Sequence, residues 1–243
     1  MNLLFLWIAF LSSFAVSSNL LREDRILESH SDETELKIAK EIYEQRIEKT
    51  PTDPELYWKL SATCFFLGHR FSSDREEKMV LFEQGVKTSL QGLEINANCA
   101  PCHFWYALNT SYLGQTKGIF SSIFALPSVK DHLSQVVELD ESYAFAGAYR
   151  ILGTIYWKIP AILGGDNKLA EKYLQMAIDR QPEPINYLYF TQFALEALND
   201  KNRALQLVTK GLAFSKDSQN KNMIENQESE NELKQLLISL QTR

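Results

Sequence analysis

The chain has 243 residues, 45% of them hydrophobic, with 10 Gly, 7 Pro and a formal net charge of −6. Such a length suits one large domain or a short helical array, and the apolar share is too high for a disordered chain. No Lys/Arg run stands out, which excludes the clustered positive charge of a nucleic-acid footprint.

At the N-terminus, residues 1–18 carry no charged side chain, and Leu3–Val16 is apolar but for Ser12 and Ser13. Small residues follow, then a polar segment from Arg22. This order reads as a signal peptide over 1–18 cleaved near Ser17 or Ser18, and predicts a periplasmic or secreted protein. No cysteine stands near that site to form a lipobox. A retained N-terminal anchor is the alternative. Export would let Cys64, Cys99 and Cys102 pair, and an odd count leaves one free.

The next signal is a repeat. Ala39, Tyr43 and Pro51 are spaced by four and eight, and Ala170, Leu174 and Pro182 return the same offsets. Ala204 and Val208 begin a third copy, while Tyr149, Leu152, Gly153 and Tyr156 supply the first-helix spacing of a tetratricopeptide repeat (TPR). The period of that repeat is about 34 residues. The expected fold is therefore all-α, with antiparallel helix pairs stacked in a superhelix.

In chain order, the pattern predicts a helix over about 31–48, with Asp32 and Glu35 at capping-box spacing. Helix pairs follow at 54–67 with 75–95, 101–114 with 127–139, 144–158 with 167–180, and 184–198 with 201–213. The repeat domain is thus expected over 31–214. Residues 215–231 turn to Lys, Asn, Gln, Ser and Glu and read as a solvated linker. Leu233, Leu236, Leu237 and Leu240 then form a helical stripe, expected to make 232–243 a capping helix. Stacked pairs leave a concave surface or channel lined by first helices, a place for binding rather than chemistry.

Several stretches are candidates for function. Cys99-Ala-Pro-Cys102-His103 admits three readings: packing or a local disulfide, haem c attachment with His103 as iron ligand, or a redox dithiol. The first is preferred, because the stretch starts a repeat helix and no βαβ scaffold surrounds it. No resident cofactor is then expected, with haem at Cys99, Cys102 and His103 as the alternative. His30, His69 and His132 lack metal-ligand spacing and read as surface or cap residues. No triad order or nucleophile elbow is present, so no catalytic residue is assigned and the protein is read as non-enzymatic. Phe104, Trp105, Phe120, Phe124, Tyr149, Arg150 and Trp157 are the candidates for lining a ligand channel. For Ile119, Phe120, Ile123 and Phe124, on one helical face, core packing competes with that role.

Residues 126–178 resemble the T-component proteins associated with TRAP transporters. The resemblance is carried by Leu126, Pro127, Leu139, Asp140, Tyr143, Gly147, Arg150, Gly153, Pro160, Gly164, Gly165 and Asp166. It implies a TPR-like protein outside the inner membrane, working beside a solute-binding protein and holding an apolar ligand, with homo-oligomers a further expectation. A related helical repeat occurs in an animal family linked to microtubule dynamics, and the leader weighs against that assignment. Within the motif, Asp166 is expected to cap a helix after a tight Gly164-Gly165 turn rather than cradle phosphate. Asp140 and Arg150 are expected to form an ion pair across an interhelix turn, with contact to a charged solute as the rival.

Overall fold

The structure is a computed structural model that describes residues 21–220 and 223–242. The leader expected over 1–18 lies outside the described residues. Eleven α-helices follow one another, with no strand among the described residues. They are α1 (Arg22–Ser29), α2 (Glu33–Lys49), α3 (Pro54–Phe66), α4 (Arg75–Ile95), α5 (Ala100–Lys117) and α6 (Ile119–Asp140). Then come α7 (Tyr143–Lys158), α8 (Asn167–Arg180), α9 (Pro184–Glu196), α10 (Lys201–Asp217) and α11 (Ile224–Gln241). The all-α helical-repeat fold is as the periodicity indicates.

Aspartates set many of the helix starts. Asp32, Asp74 and Asp200 each accept a hydrogen bond from the backbone N–H three residues on, at 2.8, 2.8 and 2.9 Å. Asp53 caps α3 ahead of Pro54, whose missing N–H is harmless in a first turn. The repeat's small positions, Ala39, Ala170 and Ala204, are fully buried, which lets neighbouring helices approach closely. Large side chains fill the space around them: Leu36, Tyr43, Phe82 and Val129 in one cluster, Leu174, Phe190, Phe193 and Val208 in the other. Each such side chain contributes about 1.5–3 kcal/mol by burial.

Helix α1 was not legible in the sequence. Eight residues are too few to hold a helix in water, and tertiary contacts hold this one. Tyr43 donates from its hydroxyl to Asp24 at 2.8 Å, and Lys59 meets the same carboxylate at 2.9 Å. Arg46 pairs with Glu23 at 2.6 Å.

The expected linker over 215–231 is a correction. Helix α10 runs on to Asp217 and α11 begins at Ile224, so most of the segment is helical. The polar composition serves a buried network instead of solvation. Glu183, 6% exposed, accepts from Ser218 at 2.7 Å, Asn220 at 2.6 Å and Asn226 at 2.9 Å.

Helix α6 also starts earlier than expected, running unbroken from Ile119 through Pro127. Gly114 of α5 lets the Ser122 backbone come so close that a Cβ there would lie 3.1 Å from the Ser122 Cα. That contact turns Ser122, Ala125 and Val129 toward α5 and rotates Phe120 and Phe124 outward. They are 75% and 82% exposed. Neither the core nor the channel role expected of them holds.

Candidate functional site

Every odd-numbered helix from α1 to α11 contributes to one concave groove, and the even-numbered helices stand behind them. The groove encloses about 950 Å³, within the range of ligand sites.

Its floor is aromatic. Phe65 lies tilted 5.5 Å from Trp105 and edge-to-face 5.1 Å from Tyr112, and Phe66 lies 5.4 Å from Trp105. Trp105 donates its indole N–H to the Tyr143 hydroxyl at 2.9 Å, so the polar edges of both rings are satisfied within the floor. Burial pushes the Tyr112 hydroxyl up to about 12 and Tyr143 higher still, keeping both neutral.

Polar contacts frame the mouth. His30, the C-cap of α1, stacks on Phe66 at 3.9 Å, and its Nε2 stands 3.0 Å from Glu225 of α11. Burial pushes the Glu225 carboxyl up, but the contact with His30 outweighs it and holds that carboxyl below its ordinary value. Arg70, in the π-helical turn after α3, grips Glu228 with two hydrogen bonds of 2.9 and 2.8 Å. The first and last described helices thereby approach one another across the groove.

Arg150 lies at the α7–α9 end, 7% exposed. Its Nη1 donates to Asn186 Oδ1 at 2.7 Å and to the Phe145 carbonyl at 3.1 Å, while Nη2 reaches the Ala144 carbonyl at 3.3 Å. Burial lowers its pKa. The turn it holds is unusual: Ala144, Phe145 and Ala146 have φ of 50°, 58° and 56°. Three consecutive L-residues in the left-handed region cost about 1–2 kcal/mol each. Arg150 and Asn186 supply the hydrogen bonds that keep them there.

The candidate residues thus separate. Phe104, Trp105 and Arg150 line the groove. Tyr149 is turned away, donating to Glu141 at 2.9 Å, and Trp157 packs 5.8 Å from Phe193 with the Lys158 ammonium over its face at 3.6 Å. The expected Asp140–Arg150 pair does not form, because Asp140 accepts from the Ser142 N–H at 3.0 Å and closes the interhelix turn. Gly147 packs against Phe104, and Gly153 against Leu174. Pro127 sits within α6. Pro160 opens a tight turn in which Gly164 has φ 90° and Gly165 abuts the Ile159 carbonyl, and Asp166 caps α8 as expected. Groove residues missed in the sequence include Trp58, Phe65, Phe66, Tyr112, Phe145 and Tyr189. Their signal was present: most lie on first helices of the repeat.

Cys99 and Cys102 form a disulfide with Cα atoms 5.2 Å apart, and Cys64 is buried and free. Both ring nitrogens of His103 are engaged, Nε2 with the Ala97 carbonyl at 3.0 Å and Nδ1 with His132 Nδ1 at 2.8 Å. The haem alternative is left with no free thiol and no free ring nitrogen at this stretch. The reading of histidines as surface or cap residues holds for His30 as the C-cap of α1, although it is 3% exposed, and is corrected for His132, which stacks on Tyr106 at 3.9 Å. Among the described residues no group of three or more His, Cys, Asp or Glu could hold a metal, and no helix is long and apolar enough to cross a membrane.

The model of the family "RMD1-3: Regulator of microtubule dynamics protein 1-3" matches residues 20–159. Curated relatives are regulator of microtubule dynamics protein 1 from Mus musculus, 29% identical over 103 residues, and from Pongo abelii, 28% over 92 residues. These matches cover 42% and 38% of this chain but only 34% and 29% of the relatives' own length. In structure the chain is similar to a thermophilic TPR protein from Thermus thermophilus, with TM-score 0.62, 16% identity, and coverage of 91% of this chain and 100% of the other. The family match overturns the TRAP T-component resemblance, and the transport role and solute-binding-protein partner drawn from it fall as well. Of the positions that carried that resemblance, Pro160, Gly164, Gly165 and Asp166 build the turn before α8, while Pro127, Gly147 and Gly153 lie within helices.

Proposed function

The chain belongs to the regulator of microtubule dynamics protein 1-3 family, and on that premise we propose that it is a non-enzymatic interaction scaffold whose groove holds an apolar segment of a partner protein. The observation that supports this most is the aromatic floor built by Phe65, Phe66, Trp105 and Tyr112 in a concavity open to solvent. Apolar aromatic surface of this kind, rimmed by charge, is characteristic of protein interaction sites. From the relatives' name, the process proposed for the complex is microtubule dynamics.

Leu108 lines the groove and is half-buried, so Leu108→Arg would block it while the arginine head reaches water. Microtubule growth rates are to be measured in cells depleted of the protein and resupplied with either form. The unaltered chain should restore normal growth and Leu108→Arg should not. Equal restoration by both would overturn the groove as the working surface. As part of the same reading, the leader over 1–18 is proposed to direct the chain to a membrane route, and N-terminal sequencing should find a start near residue 18 or 19. A mature protein beginning at Met1 would remove that step.

A further inference from the structure

The Cys99–Cys102 disulfide stands where a cross-link has least to do as a staple. It joins residues three apart in sequence, whereas the chain entropy removed by a disulfide grows with the loop it closes. The residues it spans are already held by the first turn of α5. Cys99 is the N-cap of that helix, and its Sγ accepts from the Cys102 N–H at 3.2 Å, the bond that an N-cap serine would accept. Pro101 sits in the same turn, where its fixed φ suits the helix and its missing N–H costs nothing.

Both sulfurs keep a partner when the bond between them is broken. Cys99 can go on accepting from the Cys102 N–H, and the start of a helix favours the thiolate form. The Cys102 Sγ lies 3.9 Å from the Pro54 carbonyl of α3, an acceptor for the S–H that reduction would create. Gly92 of α4 makes room for that sulfur, since a Cβ on residue 92 would stand 2.8 Å from it. A dithiol form supported in this way makes the disulfide easier to open.

The two cysteines are not equivalent. Cys102 is fully buried and Cys99 is 7% exposed, so Cys99 is the one nearer solvent. So narrow an approach suits a small molecule rather than the loop of a folded partner. Cys64 is fully buried, and burial pushes its thiol up to about 12, which keeps it protonated and out of any exchange.

We propose that Cys99 and Cys102 form a reversible dithiol–disulfide couple that exchanges with a low-molecular-weight thiol, with attack falling on the Cys99 Sγ. The incoming thiolate forms an S–S bond to Cys99 as the Cys99–Cys102 bond breaks, and the electron pair of the broken bond leaves on Cys102. Cys102 takes up a proton from water and turns the new S–H to the Pro54 carbonyl. A second thiolate then displaces Cys99 from the mixed disulfide. The protein gains two electrons and two protons, and the two small thiols leave as their own disulfide. An excess of that small disulfide drives the same steps in reverse.

The full chain would be equilibrated with reduced glutathione under native conditions, alkylated with N-ethylmaleimide and weighed intact. Two maleimides should be added, with far-UV circular dichroism unchanged and Cys64 unlabelled, and an excess of oxidised glutathione should abolish the labelling. A pair that resists a large excess of reduced glutathione until urea is added would overturn the proposal, as would loss of the helical signal on reduction. Cys102→Ser should take up glutathione from oxidised glutathione about tenfold or more faster than Cys99→Ser does. Equal or reversed rates would overturn Cys99 as the point of attack. If either variant fails to fold, peptide mapping of the mixed disulfide trapped early on the unaltered chain decides the same point: an adduct on Cys99 supports the proposal and one on Cys102 overturns it.

Discussion

The Nη1 of Arg150 lies 2.7 Å from Asn186 Oδ1, joining α7 to α9 beneath the groove. The Nδ2 of Asn186 is shared among the carbonyls of Phe145, Ala177 and Gln181 at 2.9, 3.2 and 2.7 Å. One side chain, 1% exposed, thus ties together a left-handed turn, a buried cation and the end of α8.

Removal of that amide should be expensive. Asn186→Ala leaves the guanidinium and several carbonyls short of partners, each buried loss costing about 1–3 kcal/mol. Urea unfolding should show a destabilisation of about 3 kcal/mol. A change below about 1 kcal/mol would mean that the turn does not depend on this clamp.

The left-handed turn yields the opposite kind of variant. Ala146 has φ 56° and is fully buried. Ala146→Gly relieves about 1–2 kcal/mol of backbone strain against about 0.4–1 kcal/mol of added unfolded-chain entropy. The net gain, about 0.5–1 kcal/mol, should appear as a raised Tm. A lowered Tm would show that residue 146 is not held at positive φ.

Phe124 is mostly in water, so Phe124→Asp should change stability by no more than about 0.5 kcal/mol. Restoration of microtubule growth by the resupplied chain should also be unaltered. Failure of a folded Phe124→Asp protein to restore growth would move the interaction surface from the groove to the exposed face of α6.

His132 gives a pH dependence. Burial, followed by the neighbouring His103, pulls its pKa down from 6.5 to about 4. Between those values the unfolded chain binds the proton that the folded one refuses, so stability falls as pH drops from about 6.5 to about 4. Below that the contribution is gone. Because the ring is partly exposed, about 1–2 kcal/mol is the expected size. The difference between unaltered protein and His132→Phe, followed by urea unfolding across that window, should carry this slope. A difference independent of pH would place the ring in solvent.

The architecture and the binding surface were legible to different degrees. Small-large-Pro offsets at Ala39, Tyr43 and Pro51 announce a helix pair because close helix approach requires a small residue at a fixed period. Cap signals at Asp32, Asp53, Asp74, Asp166 and Asp200 act within one turn, so sequence alone places those starts. The aromatic run after Cys102 also showed where part of the groove would be. Phe120 and Phe124 were indistinguishable in sequence from core residues, since a helical stripe states which residues share a face but not what that face meets. Only the approach of Ser122 to Gly114 decided that their face looks outward.

Long-range pairing settled the rest. The segment 215–231 is as polar as a linker, yet Asn226 is buried because Glu183, 43 residues away, accepts its hydrogen bond. His30 and Glu225 stand at opposite ends of the described chain and meet only once the superhelix has brought α1 and α11 together. Arg150 reads in sequence as a partner for Asp140, ten residues back, and folding gives it to Asn186 instead. Local periodicity and caps set the helices, because their energies act within a turn or a repeat. The partners of buried polar groups were decided by tertiary structure, because a desolvated charge or amide takes whichever acceptor the packing brings within reach.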